Sequence, residues 1–315
     1  MSWFKSLQES TWFRWVLRPL LIVVPLVLLG RHYAVNWQAL QAYDWQVDVA
    51  NAGLGLFLLL LAFALLPLAL QQILAALGCP IGYRHAYYGF YISQLAKYLP
   101  GRVWVVPGRA LVLKKFGVDP LSSTVGMIVE TSVLAVTGAV AFVPYALLAP
   151  NGDAWSLWYL SPFLLVILHP RVFNKVVHWL EMRLGRKNPS VHLTNRQSIS
   201  IIVLGLLFWA VTGAGFAALV ASVEGFPPDL LFVLPGAFSS SWAAGSIAFV
   251  SPGGLGAREG ALVLLLSPFL ASPIPAIVAL LSRLWWTLAD LFSWFIAFVA
   301  QKLAASKWFR GHSRE

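Results

Sequence analysis

The chain has 315 residues, of which 59% are hydrophobic and only 11% charged, and its mean hydropathy is +0.75. A soluble domain carries about 25% charged residues, so lipid must be the main solvent, and a soluble enzyme, disordered linker, disulfide scaffold or coiled coil is excluded. The formal net charge is +10, and the single cysteine, Cys79, can form no internal disulfide and is silent on redox compartment.

Apolar runs of about 20 residues predict membrane-crossing helices, because a backbone in lipid must satisfy its own hydrogen bonds. In chain order they fall at 14–34, 53–77, 121–148, 155–169, 198–223, 229–250 and 275–301. The first carries early charge and has no small-residue cleavage site after Gly30, so it reads as a retained anchor rather than a signal peptide. The aromatic, semi-polar stretch 82–99 reads as an interfacial or re-entrant helix, and 259–271 reaches only partway across. The expected fold is all-α: a polytopic bundle of about eight spans, short or re-entrant broken segments included. It forms a single membrane domain over 1–315, with pseudo-halves at about 14–150 and 155–303.

Charge placement predicts orientation. The N-terminus, segment 78–118, segment 170–197 and the C-terminus hold 19 of the 22 basic residues, all on one side if the number of spans is even. The opposite loops carry Asp44, Asp48, Asp153, Glu224 and Asp229, with Arg31 as their only basic residue. Both termini are therefore expected in the cytoplasm, with 170–197 as a basic cytoplasmic loop. Insertion alone accounts for that loop's charge, although Lys and Arg beside a membrane also attract anionic headgroups.

Two segments interrupt the apolar pattern, one in each half. The first runs from Ser93 through Lys97, Pro100, Gly101, Arg102 and Pro107-Gly108 to Arg109. The second is Ser251-Pro252-Gly253-Gly254-Leu255-Gly256-Ala257-Arg258-Glu259. Proline removes a helical donor and glycine permits positive φ, so both predict broken backbone. At membrane depth such backbone is tolerated only where it is buried in protein or lines a wet cavity, and paired breaks in corresponding halves point to a transporter site. Cytoplasmic turns that happen to contain arginine are the plainer account. The glycine-rich run before the helix at Ala261 could cradle an anion, with backbone N–H groups of Gly253, Gly254 and Gly256 beside Arg258. It lacks the Gly-Lys-Ser/Thr ending of a nucleotide loop, so lipid phosphate is the expected anion.

Charges also lie inside apolar spans, where each costs on the order of 2.5–3.5 kcal/mol on insertion scales. Arg283 and Asp290 are seven residues apart and share a helix face, either pairing within the bundle or serving function. Glu130 needs a partner from elsewhere; Arg109, Arg258 and Arg283 are the candidates. Trp285 and Trp286 are placed to shield Arg283, whereas most tryptophans sit near span ends as an interfacial belt. Ser239, Ser240 and Ser241, among small residues, predict close helix packing or a polar lining. The six histidines show no metal-ligand spacing, no paired-carboxylate motif or Gly-x-Ser-x-Gly occurs, and no soluble stretch exceeds about 30 residues. These features argue against an enzyme, a metal, a cofactor or a nucleic-acid partner. They leave oligomeric state open.

Lys97-Tyr-Leu-Pro-Gly-Arg102 continuing to Arg109, the Ser251–Glu259 motif and Ser282-Arg283 together resemble the lysylphosphatidylglycerol synthase transmembrane-region family, also called flippase-like integral membrane proteins. The likeness covers roughly 14–303. The best-known members carry a fused aminoacyl-transferase domain, and their membrane part is held to translocate the aminoacylated lipid. This sequence shows no such domain, so synthase activity is not carried over. Lys97-Tyr98 stands where many members have asparagine before Pro-Gly, a variant associated with members near glycan assembly. The resemblance implies a translocator in the bacterial inner membrane, acting on an anionic phospholipid or a polyprenyl-phosphate-linked lipid. Arg109, Arg258, Lys97 and Arg102 would meet the phosphate, and Glu130, Glu259, Arg283 and Asp290 would neutralise these cations or couple movement to a proton. A non-catalytic partner of a glycosyltransferase or lipid synthase is the first alternative, and a membrane-embedded transferase the second.

Overall fold

A computed structural model describes residues 46–98, 104–150, 152–186, 191–225, 228–247, 254 and 256–312, with the isolated positions Ala34 and Gln41. Among them all regular structure is helical. Four helices are long and apolar enough to cross a membrane. Helix α1 (Val49–Ala76) starts where the Asp48 carboxylate accepts from the Ala50 and Asn51 N–H groups. At 1.5 Å per residue its 28 residues reach about 42 Å, more than the ~30 Å of a bilayer core.

Two short helices follow, α2 (Tyr83–Gln94) and α3 (Val105–Lys114), with a 3₁₀ turn at Leu95–Tyr98 between them. Helix α4 (Pro120–Ala141) is capped by Asp119 and carries Pro120 in its first turn; past Phe142 it continues as α5 (Val143–Leu148) to complete the second span. The apolar run expected at 155–169 becomes a 3₁₀ segment, Gly152–Leu168, which bends 71° into α6 (Pro170–Arg183). The expected basic loop 170–197 is thus mostly helix. Within it Arg186 pairs with buried Glu181 at 2.5 Å and donates to Ser122 Oγ at 2.9 Å.

Helix α7 (Asn195–Glu224) opens on a capping box made by Thr194 and Gln197. It packs along α1 so closely that a Cβ on Gly55 would lie 2.8 Å from the Gly215 carbonyl oxygen, the small-residue contact that lets membrane helices approach. Within the expected span 229–250 the described residues form only a short α-helix. Helix α8 (Leu234–Ile247) has only 14 residues, about 21 Å, and α9 (Ala257–Leu266) only 10. The last helix, α10 (Ile274–His312), provides the fourth span as far as Leu303.

The short helices pair off. Helix α2 lies against α3, and α8 against α9. In the first pair, Ser93 near the end of α2 meets Arg109 near the start of α3. In the second, a Cβ on Gly245 would come within 3.0 Å of Arg258 Cβ, while Tyr145 touches both Gly236 of α8 and, through its hydroxyl, the Leu265 carbonyl of α9. Both pairs are therefore antiparallel hairpins. The two proline–glycine breaks of the sequence lie between the limbs of the two hairpins. Up to five spans, counting the bent pair, and two hairpins occupy the described residues; the expected span at 14–34 lies outside them.

Candidate functional site

In the first hairpin Arg109 is 1% exposed and fully engaged. Its Nη1 donates to Glu130 Oε2 on α4 at 2.6 Å, Nε donates to Ser93 Oγ at 3.3 Å, and Nη2 donates to Gln94 Oε1 at 3.3 Å. The guanidinium also stacks on Phe90, 4.3 Å from the ring centre. Glu130 thus takes Arg109 among its three candidate partners. A charge this deep is tolerable only when paired and hydrogen-bonded, and both conditions hold.

Arg283 and Asp290 do share a face of α10, and each reaches a different hairpin from it. Lys97, in the turn after α2, places Nζ 2.5 Å from Asp290 Oδ2. Arg283 Nη1 donates to Glu259 Oε1 on α9 at 2.9 Å. One helix therefore fastens both hairpins, using a carboxylate for one and a guanidinium for the other.

The second oxygen of Glu259 accepts from the Gly256 N–H at 2.7 Å. An amide that the sequence assigned to a phosphate is already capping α9 with the helix's own carboxylate. Gly254 has φ +72°, and a Cβ there would lie 2.7 Å from the Gly245 carbonyl oxygen, so this turn admits glycine alone without displacing backbone. Gly253 and Arg102 lie outside the described residues.

Arg258 is 7% exposed and sits between two rings, 4.7 Å from Phe238 of α8 and 4.5 Å from Trp286 of α10. Trp286 also faces the Lys97 ammonium at 6.0 Å. It was expected to shield Arg283; it stands instead between cations of the two hairpins. Phe90 and Phe238 were missed by sequence reasoning, and Ser93 and Gln94, inside the first broken segment, were given no role. Aromatic and small polar residues are so common in this chain that only their position marks them. Of the three serines, Ser239 donates to the Gly138 carbonyl at 2.9 Å and Ser241 to Phe238 at 2.8 Å, which is helix packing.

These groups enclose a cavity of about 130 Å³ lined by Lys97, Arg109, Glu130, Arg258, Arg283 and Trp286, among others. A single water needs ~10–15 Å³ of such space, so the cavity admits a small polar headgroup. Among the described residues Glu130 lines it beside these cations, and Asp290 and Glu259 pair with Lys97 and Arg283. Among the described residues no group of His, Cys, Asp and Glu is arranged to hold a metal ion.

Long apolar helices that hold two inserted hairpins around a charged pocket define an integral membrane protein. The family model described as lysylphosphatidylglycerol synthase TM region matches residues 15–300, and the chain belongs to that family. A comparison with curated proteins gave no match.

Proposed function

We propose that the protein moves an anionic lipid, a phospholipid or a polyprenyl-phosphate-linked species, between the leaflets of the bacterial inner membrane, and that it does so without covalent chemistry. One observation carries this reading: a cavity lined by Lys97, Arg109, Arg258 and Arg283 and reached by both hairpins. Arg258 is the principal phosphate ligand. A guanidinium binds phosphate bidentately and stays charged when partly buried. Lys97 and Arg283 assist, and an arriving phosphate competes with Asp290 and Glu259 for them. When the headgroup leaves, those carboxylates close on the cations again and no charge is left bare in a low-dielectric site.

Topology supports the same reading. With 14–34 as the first span, the first half runs span, α1, hairpin α2/α3, α4. The second runs Gly152–Leu168, α7, hairpin α8/α9, α10. The 17 residues of the 3₁₀ segment reach ~34 Å at about 2.0 Å each, enough to cross. Three crossings per half invert the second half relative to the first, and the hairpins then enter from opposite faces and meet at Trp286. The basic segment 78–118 and both termini fall in the cytoplasm, and the acidic Glu224 and Asp229 fall on the far side. An inside-negative potential drives an anionic headgroup outward by ~2.3 kcal/mol per charge per 100 mV.

The test is lipid scrambling in proteoliposomes together with native mass spectrometry of the protein released from its own membrane. A retained anionic lipid, and transport that falls at least tenfold in a folded Arg258→Ala protein, are expected. Unchanged transport by that variant removes Arg258 from the site. Co-purification of a stoichiometric glycosyltransferase or lipid synthase, with no lipid movement, replaces the translocator by a membrane partner of that enzyme.

A further inference from the structure

A second chamber adjoins the charged cavity on the other side of hairpin α8/α9. Its volume is about 840 Å³, and its walls come from α4, the 3₁₀ segment, α8 and α9, with Trp155, Trp158, Ala244 and Leu264 among the lining residues. Two residues, Leu134 and Trp242, line both spaces. They form a braced partition: Trp209 Nε1 donates to the Leu134 carbonyl at 3.0 Å, and Trp242 packs edge-on against Trp209 with ring centres 5.5 Å apart. At the opposite rim Ile247 and Leu264 are 76% and 75% exposed, so the chamber opens on the surface that faces lipid.

We infer that this chamber holds the hydrocarbon chain of the same lipid whose phosphate occupies the charged cavity. The inference rests on the proposed function and extends it from headgroup to chain. Headgroup and chain are covalently joined, so a bound phosphate needs apolar space within reach. The chamber supplies it one side chain away, and it is several times the larger of the two, in keeping with a small head on a long chain. Hairpin α8/α9 thus separates the two parts of one ligand: Arg258 faces the cavity, while Ala261 and Leu264 face the chamber. The chain reaches its seat past Ile247 and Leu264 without leaving an apolar surface, and Trp242 sets where chain ends and headgroup begins. Of the two serines in the lining, Ser239 spends its hydroxyl on the Gly138 and Gly236 carbonyls.

The experiment uses the full chain in nanodiscs with three probes. These are a phosphatidate carrying a mid-chain diazirine, the matching diazirine diacylglycerol without phosphate, and water-soluble dibutyryl phosphatidate. Photolabelling by the long phosphatidate is expected on peptides containing Trp155, Trp158 and Leu264. It should drop about tenfold in Ala244→Trp and in Ala261→Phe, which fill the chamber from two walls. Dibutyryl phosphatidate should raise the melting temperature of wild type and of both variants alike, which also reports that they are folded. Labelling confined to the outer faces of α1 and α10, or unmoved by both variants while the short lipid still stabilises, overturns the chamber and leaves the headgroup site standing. No stabilisation by the short lipid, with diacylglycerol labelling the chamber as strongly as phosphatidate, overturns the headgroup reading and this inference with it.

Discussion

In hairpin α2/α3 the arginine is spent on structure: Arg109 meets a carboxylate, a hydroxyl, an amide oxygen and a ring, all within its own hairpin or on α4. In hairpin α8/α9 the arginine lies between two rings, and the hairpin's ion pair is made by its neighbour Glu259 reaching across to α10. The same motif, a proline–glycine break followed by arginine, thus has different surroundings in the two hairpins. In the second hairpin Gly254 lies close against Gly245.

The largest expected effect tests the fastening side. Arg109→Met leaves Glu130 buried without its partner, which costs about 3–5 kcal/mol, whereas the paired replacement Arg109→Met with Glu130→Leu recovers most of that loss. Thermal unfolding in one detergent measures both. If the double variant also transports lipid, Arg109 only fastens; if it is stable and inactive, the two hairpins are alike after all.

Next comes the clasp on α10. Asp290→Asn leaves Lys97 with a neutral partner and is expected to lower stability by about 1–3 kcal/mol, while Arg258→Ala, which breaks ring contacts of ~0.5–2 kcal/mol, costs less stability and more transport. Measuring stability and scrambling on the same preparations separates the two. Gly254→Ala is expected to cost ~1–3 kcal/mol through its positive φ and its contact with Gly245, and to loosen α8/α9 alone. Hydrogen exchange should rise across 234–266 and stay level across 83–114. The smallest effect is Ser93→Ala, which removes one hydrogen bond to Arg109, is worth about 0.5–1.5 kcal/mol, and should leave transport unchanged. A transport defect there would draw Arg109 into the binding site.

Much of the fold was legible because lipid is an undemanding reader. The spans at 53–77, 121–148, 198–223 and 275–301 match α1, α4 with α5, α7 and α10, since an apolar run of that length has no other way to satisfy its backbone. The stretch 82–99 was expected to be re-entrant and forms a hairpin limb. Of the run 229–250 the described residues show the helix Leu234–Ile247, only 14 residues long. Hydropathy did not show that the apolar run at 155–169 winds as a 3₁₀ segment and turns 71° into α6.

By itself, the sequence determined the solvent, the long helices, the two breaks and the residue types gathered at them, because each follows from local composition and backbone chemistry. Only the tertiary structure decided the partners. Lys97 and Asp290 are 193 positions apart, and Arg109 and Glu130 come from different helices. The cost of burying a charge guarantees that each will be paired. Periodicity says which way a side chain faces on its own helix, but which group waits there depends on how the helices cross, and that is fixed by packing over the whole bundle.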